Sequence, residues 1–384
     1  MKKILITSSF FYPYISGLSL YPFRLGKLLA REGYQVSALT FQHEAKLPVQ
    51  ETIDGVQIHR VRLHLKLSKG LINFFYPLYA WQKVSQHDLI IINCPGIENI
   101  WVSLFAKLMN KQTVVLYHCD LSFQNSLFLK LASRIVNLSS YVSCFLAGKI
   151  VNSSKNYAQT SPILKPFLHK VDYHYPLIEQ ALFDKFYLNQ LKQTYRQNSP
   201  VIGFVGRISR EKNLETLVNA LFRLQKKYPQ LLFVCVGPFA SQVAGEKAYY
   251  RKIQSLLEEF KINYAVLGIL DQSQLTAFFR FINVLVLPSN NRTEAFGMVQ
   301  MEAMLQGTPV VASLAPGIAE AINLTKMGEL FVQNDSEKLA QQLSKVINNT
   351  KKYQAGTKIA KKLFQTDSKN CSDFFLREFN HSNH

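Results

Sequence analysis

Two glutamates eight residues apart, Glu294 and Glu302, enclose the tripeptide Ala295-Phe296-Gly297. They lie in a stretch, residues 284–313, that reads as strand, loop, helix, glycine cap and strand. Gly297 falls where the helix begins. The backbone N–H groups there point beyond the strand, and a helix N-terminus opened by a glycine suits phosphate oxygens. Glu302 shares one helical stripe with Met298 and Leu305. A carboxylate on that mostly apolar stripe needs donors, which either ribose hydroxyls or an internal Lys or Arg would supply. Glu294 either faces the sugar side of the same ligand or stands in solvent. A second stretch, FVGRISREKN at 204–213, places Arg207 and Lys212 just past another strand. Gly206 permits the turn, and Asn213 is expected to cap the next helix. A guanidinium fork and an ammonium together suit a diphosphate whose charge grows as it leaves. The alternative is surface pairing with Glu211 or Glu215. Gly17, in the loop after the first strand, allows close backbone approach to donor phosphates or acceptor, or makes an ordinary turn. His118 directly follows the strand VVLY.

The elements that must position these residues alternate between strand-like apolar runs and helical segments, as in parallel α/β domains. The first half has runs at Lys3–Ser8, 34–40, Val56–Val61, Leu89–Ile92, Thr113–Tyr117 and Lys149–Asn152. A helix is expected over Pro22–Glu32, and Phe41–Thr52 reads as a loop that turns at Asp54-Gly55. The second half has runs at 201–206, Leu231–Val236, Tyr264–Leu267, Val284–Leu287 and Val310–Ala312. The expected organisation is one Rossmann-like domain over 1–175, a linker over 176–200 and a second Rossmann-like domain over 201–360. A C-terminal helix over 361–384 would return to the first domain, since Phe374 and Phe375 would be costly to leave in water. Ligands of open parallel sheets sit beyond the C-terminal strand ends, where the four stretches above fall. Neither half has GxGxxG after its first strand, which disfavours a dinucleotide oxidoreductase.

With 384 residues, 48% hydrophobic and 18% charged, the chain can bury two cores. Its net charge is +19, with 22 basic and 10 acidic side chains in 1–200 against 22 and 15 in 201–384. That excess favours anionic partners. Nucleic acid is disfavoured, because no zinc-finger spacing, RNP-like motif or long basic run occurs. The five scattered cysteines suit buried thiols in a reducing compartment. The N-terminus lacks a convincing cleavage site and reads as a strand, and no stretch of about 20 residues is free of charge.

In this order and at these separations, the four stretches resemble glycosyltransferase family 4, two-domain enzymes of the GT-B fold, over essentially the whole chain. The most specific elements are E-x7-E (Glu294, Glu302) followed by GTPVVAS, and GR-x4-K (Arg207, Lys212). The resemblance implies two Rossmann-like domains facing across a cleft. It implies that Arg207, Lys212 and Gly17 contact the donor diphosphate, that Glu302 binds the nucleotide ribose, and that Glu294 with the Phe296, Gly297 and Met298 backbone holds the donor sugar. His118 would touch the transferring sugar, and His118 and Glu294 would be the catalytic pair. The family retains anomeric configuration and uses no metal or other cofactor, which agrees with the lack of a DxD. The expected donor is a UDP- or GDP-sugar. The expected acceptor is a saccharide or lipid-linked saccharide in lipopolysaccharide, O-antigen or related assembly, on the cytoplasmic side. Three positions depart from the pattern: Ser16 replaces the first of a usual Gly pair, Met301 a usual Leu and Asn283 a usual acidic residue. The YHCD stretch resembles a variant of O-antigen-type transferases.

Residues 61–83 interleave Arg62, Lys66, Lys69 and Lys83 with Phe74, Phe75, Tyr76, Tyr79 and Trp81. This segment either rests peripherally on an anionic membrane surface or is a helix with its aromatics in the core. The competing functions are a GT-B nucleotide-sugar epimerase, a non-catalytic sugar-nucleotide-binding subunit, and a glycoside hydrolase, for which the phosphate-binding cations make little sense.

Overall fold

The computed structural model describes residues 2–67, 70–122, 127–178, 182–239, 246–291 and 293–380. The chain divides into two units. Unit 1 comprises Met1–Ile178 and Thr366–His384, and unit 2 comprises Glu179–Gln365.

Unit 1 runs β1 (Lys3–Thr7), α1 (Gly17–Arg31), β2 (Gln35–Phe41), β3 (Gln50–Ile53), β4 (Val56–Val61), β5 (Leu65–Leu67), β6 (Gly70–Ile72), α2 (Tyr76–Ser85), β7 (Leu89–Cys94), α3 (Asn99–Leu108), β8 (Gln112–Tyr117), α4 (Leu127–Leu146), β9 (Lys149–Asn152), α5 (Lys155–Thr160) and β10 (Val171–Tyr173). Its main sheet has the order β10-β9-β8-β7-β1-β2-β4-β3 and is parallel except for β3. Every residue of β7, LIIINC, is buried, as expected of a strand covered on both faces. The expected loop over Phe41–Thr52 is corrected at its end, where β3 pairs antiparallel with β4 through Asp54-Gly55. Both turn residues have positive φ, 49° and 85°, the conformation of a tight hairpin. The QETI sequence of β3 is too polar and too exposed to announce a strand by its apolar pattern.

Unit 2 runs α6 (Lys185–Thr194), β11 (Val201–Val205), α7 (Leu214–Leu224), β12 (Leu232–Val236), α8 (Lys247–Glu259), β13 (Tyr264–Gly268), α9 (Gln272–Phe281), β14 (Val284–Leu287), α10 (Met298–Leu305), β15 (Val310–Ser313), α11 (Pro316–Thr325), β16 (Gly328–Phe331), α12 (Ser336–Asn348) and α13 (Thr350–Gln354). The strands form an all-parallel sheet, β13-β12-β11-β14-β15-β16. The amphipathic α7 buries Leu214, Leu217, Val218, Leu221 and Leu224 at helical spacing against Ile202, Phe204 and Phe233. The stretch expected as linker contains α6, which packs on α9 and belongs to unit 2. Asp184 caps it by accepting the Tyr187 amide, and its two buried leucines were too few to mark a helix in advance.

The last helix, α14 (Thr357–Asn380), passes from unit 2 into unit 1. In unit 1 its Cys371 Sγ meets Tyr21 Oη at 3.5 Å, Phe374 packs on the His174 ring, and Phe375 is fully buried. Burial of both phenylalanines helps hold this helix on unit 1.

Candidate functional site

In unit 2 the strand order reverses between β11 and β14, which lie side by side. The ligand crevice of an open parallel sheet lies at such a switch point, beyond the strand ends. Arg207 and Lys212 leave β11 there, and Glu294 to Gly297 leave β14 there. The two loops are stitched together. Lys212 Nζ and Glu294 Oε2 form an ion pair, with Ser289 Oγ donating to the same carboxylate oxygen at 3.4 Å. Asn213 Nδ2 donates to Pro288 O at 3.3 Å and to Asn334 Oδ1 at 3.0 Å. Arg207 Nη2 reaches Glu211 Oε1 at 3.1 Å, the surface pairing anticipated as the alternative for this residue. Glu215 pairs elsewhere, with Lys252 and Tyr249. Asn213 does stand before α7, but in the left-handed region (φ 51°), and its side chain caps no backbone amide. Its Oδ1 accepts from Thr216 Oγ1 instead.

The β14 loop is clamped into its path. Gly297 has φ 73°, and a Cβ there would lie 2.5 Å from Leu287 Cδ2 and 3.6 Å from Glu294 Oε1. Glycine is therefore required for both conformation and space. Buried Gln300 donates to Phe296 O and Ile318 O, and a Cβ on Gly317 would overlap Ala295 O. Phe296 is buried in this turn, with its carbonyl held by Gln300. Gly297 is the N-cap of α10, whose first amides carry the positive end of the helix dipole. Met298, Glu302 and Leu305 form the half-buried stripe of α10, while Gln300, Met301, Ala303 and Met304 are buried.

Unit 1 has its own reversal, between β1 and β7. Gly17 is the first residue of α1, and not part of a loop as expected. Ser16 Oγ and Ser19 Oγ close the helix N-terminus, starting it five residues before Pro22. Pro22 has no N–H, so the carbonyl four residues back, Leu18 O, lacks its helical donor. Asn93 Nδ2, from the end of β7, supplies one at 2.9 Å and also donates to Ser8 Oγ at 2.9 Å. Because Leu18 O can only accept, the Asn93 amide orientation is fixed, and its Oδ1 faces His118 Nε2 at 2.6 Å. Nε2 thus carries the ring proton. Burial holds the His118 pKa down to about 4, so the imidazole is neutral. Its ring also meets Tyr21 edge-on at 5.6 Å. Asn93 went unread in the sequence, although a polar residue ending the run LIII was a signal.

Residues 189–363 match the family model described as glycosyl transferases group 1. Unit 2 is thus similar to group 1 glycosyl transferases over nearly its whole length. Arg207, Lys212, Glu294, Phe296, Gly297, Met298 and Glu302 all fall inside the matched span, whereas Gly17 and His118 lie outside it. Over 157 residues the chain is 32% identical to a D-inositol 3-phosphate glycosyltransferase of Corynebacterium urealyticum, covering 40% of this chain and 36% of that one. The chain thus matches about a third of that relative's length. The D-rhamnosyltransferase WbpZ of Pseudomonas aeruginosa is 25% identical over 307 residues, 78% of this chain and 74% of WbpZ. Among solved structures, HepE of Anabaena in complex with UDP-glucose superposes with TM-score 0.76 at 18% identity, over 97% of this chain and 100% of that one. That likeness shows the fold alone, the GT-B fold of two parallel-sheet α/β units.

Proposed function

We propose that the protein is a retaining, metal-independent glycosyltransferase. It would move a hexose-type sugar from a UDP- or GDP-sugar to a saccharide acceptor, in lipopolysaccharide, O-antigen or related glycolipid assembly. The observation that carries this reading is the meeting of Lys212 and Glu294 across the β11/β14 switch point, beside the N-terminus of α10. A diphosphate takes the ammonium and the guanidinium of Arg207, and the sugar hydroxyls take the Glu294 carboxylate. The developing charge on the leaving nucleoside diphosphate then faces two fixed cations and the Gly297–Met298 amides, which do the work a divalent ion would otherwise do. Glu302, one turn further along α10, accepts from the ribose hydroxyls. Gly17 offers backbone at the start of α1. At His118 the Nε2 proton is committed to Asn93, so Nδ1 is the atom that accepts from a hydroxyl of the transferring sugar. WbpZ and the UDP-glucose complex of HepE support the saccharide-assembly and nucleotide-sugar parts of the reading. The acceptor is lipid-linked and is met at the cytoplasmic face of an anionic membrane.

A thermal-shift screen against UDP, GDP and their sugar conjugates tests the donor site, since a ligand that prefers the native state raises its melting temperature. Lys212→Ala and Glu302→Ala are each expected to weaken donor binding or transfer at least tenfold, about 1.4 kcal/mol, while chelators leave transfer unchanged. Near-normal kinetics in both variants would contradict the assignment, and donor conversion without any acceptor would make the protein an epimerase.

A further inference from the structure

Helices α2, α3 and α4 form one layer on unit 1, with α3 packed against both others. Trp81 of α2 meets Phe105 of α3 at 5.2 Å between ring centres, and Trp101 meets the same ring at 6.2 Å. The α3–α4 seam is built from small polar residues. Ser103 Oγ donates to Ser143 Oγ at 2.8 Å, the Ile100 amide donates to Ser139 Oγ at 3.1 Å, and Ser139, Ser140 and Ser143 are all buried. The large apolar side chains of α4 point the other way. Leu131, Ile135, Leu138 and Phe145, at helical spacing, are 58%, 45%, 59% and 61% exposed in the whole chain. On α3, Leu108 is 74% exposed. A water-soluble helix buries its apolar stripe and exposes its serines, and α4 does the reverse. Soluble monomers rarely expose a contiguous apolar area of this kind.

The charges on the layer have one sign. Lys83, Lys107, Lys130 and Arg134 lie on the three helices, which contain no Asp or Glu. Of the acidic residues in the intervening segments, Glu98 and Asp120 are buried and Asp88 accepts the Lys3 amide. Both tryptophans of the chain, Trp81 and Trp101, stand here half-exposed. Leucines between tryptophans and cations match the graded polarity of a lipid interface, where each basic residue also gains from anionic headgroups. A second copy of the chain fits poorly, since it would bring two cationic faces together. The segment at 61–83 contributes its helical end: Phe74, Phe75, Tyr79 and Trp81 are exposed while Tyr76 is buried, and Lys69 lies outside the described residues.

We propose that the outer face of α2, α3 and α4 is a docking surface for an anionic phospholipid bilayer. The proposal rests on the reading of the protein as a transferase with a lipid-linked acceptor, and it specifies the face that would meet the lipid. Flotation with vesicles of phosphatidylglycerol and phosphatidylcholine in equal parts tests it, against vesicles of phosphatidylcholine alone. The full chain is expected to float with the anionic vesicles and to be released by salt. The triple variant Leu131→Gln/Ile135→Gln/Leu138→Gln and the charge variant Lys107→Glu/Lys130→Glu/Arg134→Glu are each expected to lose at least tenfold in partitioning. All six side chains are exposed, so folding should be retained, and an unchanged melting shift with UDP reports it. Equal binding to neutral vesicles, unchanged flotation of either variant, or a wild-type dimer that the triple variant makes monomeric would each overturn the proposal. Flotation without any nucleotide-induced shift would sink the transferase reading and leave the docking surface standing.

Discussion

Asn93 does at the residue scale what no sequence motif specifies: it joins the start of α1 to the ring of His118. Its two donors and one acceptor are all used, on Ser8, Leu18 O and His118. Asn93→Ala removes the partner of the Leu18 carbonyl and of the imidazole N–H, both part-buried, a cost of about 1–2 kcal/mol. The variant is expected to transfer sugar at least tenfold more slowly while keeping the nucleotide-induced melting shift. As water enters the gap, the His118 titration followed by NMR should move up from about 4 toward the ordinary histidine value. A role confined to folding would leave transfer by the surviving native protein unchanged. The cations, the two glutamates and Gly297 were legible because each follows an apolar run at a spacing that suits phosphate and hydroxyl groups. Their pairing was not. Lys212 and Glu294 are 82 residues apart, and only the adjacency of β11 and β14 brings them into contact.

Elements were legible in proportion to their burial. Each run of Val, Ile and Leu that read as a strand became one, because strands covered on both faces must be apolar along their length. Strands β3, β10 and β16 escaped, being short, partly polar and at sheet edges, and so did β5 and β6, which form a two-stranded sheet of their own. Helix α14 was expected from two phenylalanines, but its polar anchor was not. Asp367 accepts the Tyr175 amide, and His174 Nδ1 lies 3.9 Å from its carboxylate. Burial raises the Asp367 pKa to about 6. The unfolded carboxyl ionises near pH 4. Between about pH 4 and 6 the native state therefore holds the extra proton. Stability falls as pH rises through this window, and the full cost persists above it. Asp367→Asn keeps an acceptor for Tyr175 and is never charged. It should match the wild type below pH 4 and exceed it at pH 7 by about 3 kcal/mol. Denaturant titrations at the two pH values read the difference, and equal stability at pH 7 would place the cost elsewhere.

On the scale of the whole molecule, two units share a chain that enters unit 1, crosses to unit 2 and comes back. Phe375→Ala should cost unit 1 about 3–5 kcal/mol, because a fully buried ring would leave a cavity. Calorimetry is expected to show that loss while UDP still stabilises unit 2. Loss of the nucleotide effect would mean that the helix acts on both. The return of the chain also sets a timetable. A domain at the start of a polypeptide can ordinarily fold while the rest is still being translated. Here unit 1, most of which is made before unit 2, needs Cys371, Phe374 and Phe375 to complete its interior, so it stays unfinished until those residues have been made. Unit 2 lies wholly within the intervening stretch and can close first, so of the two units the one begun earlier is the later to mature.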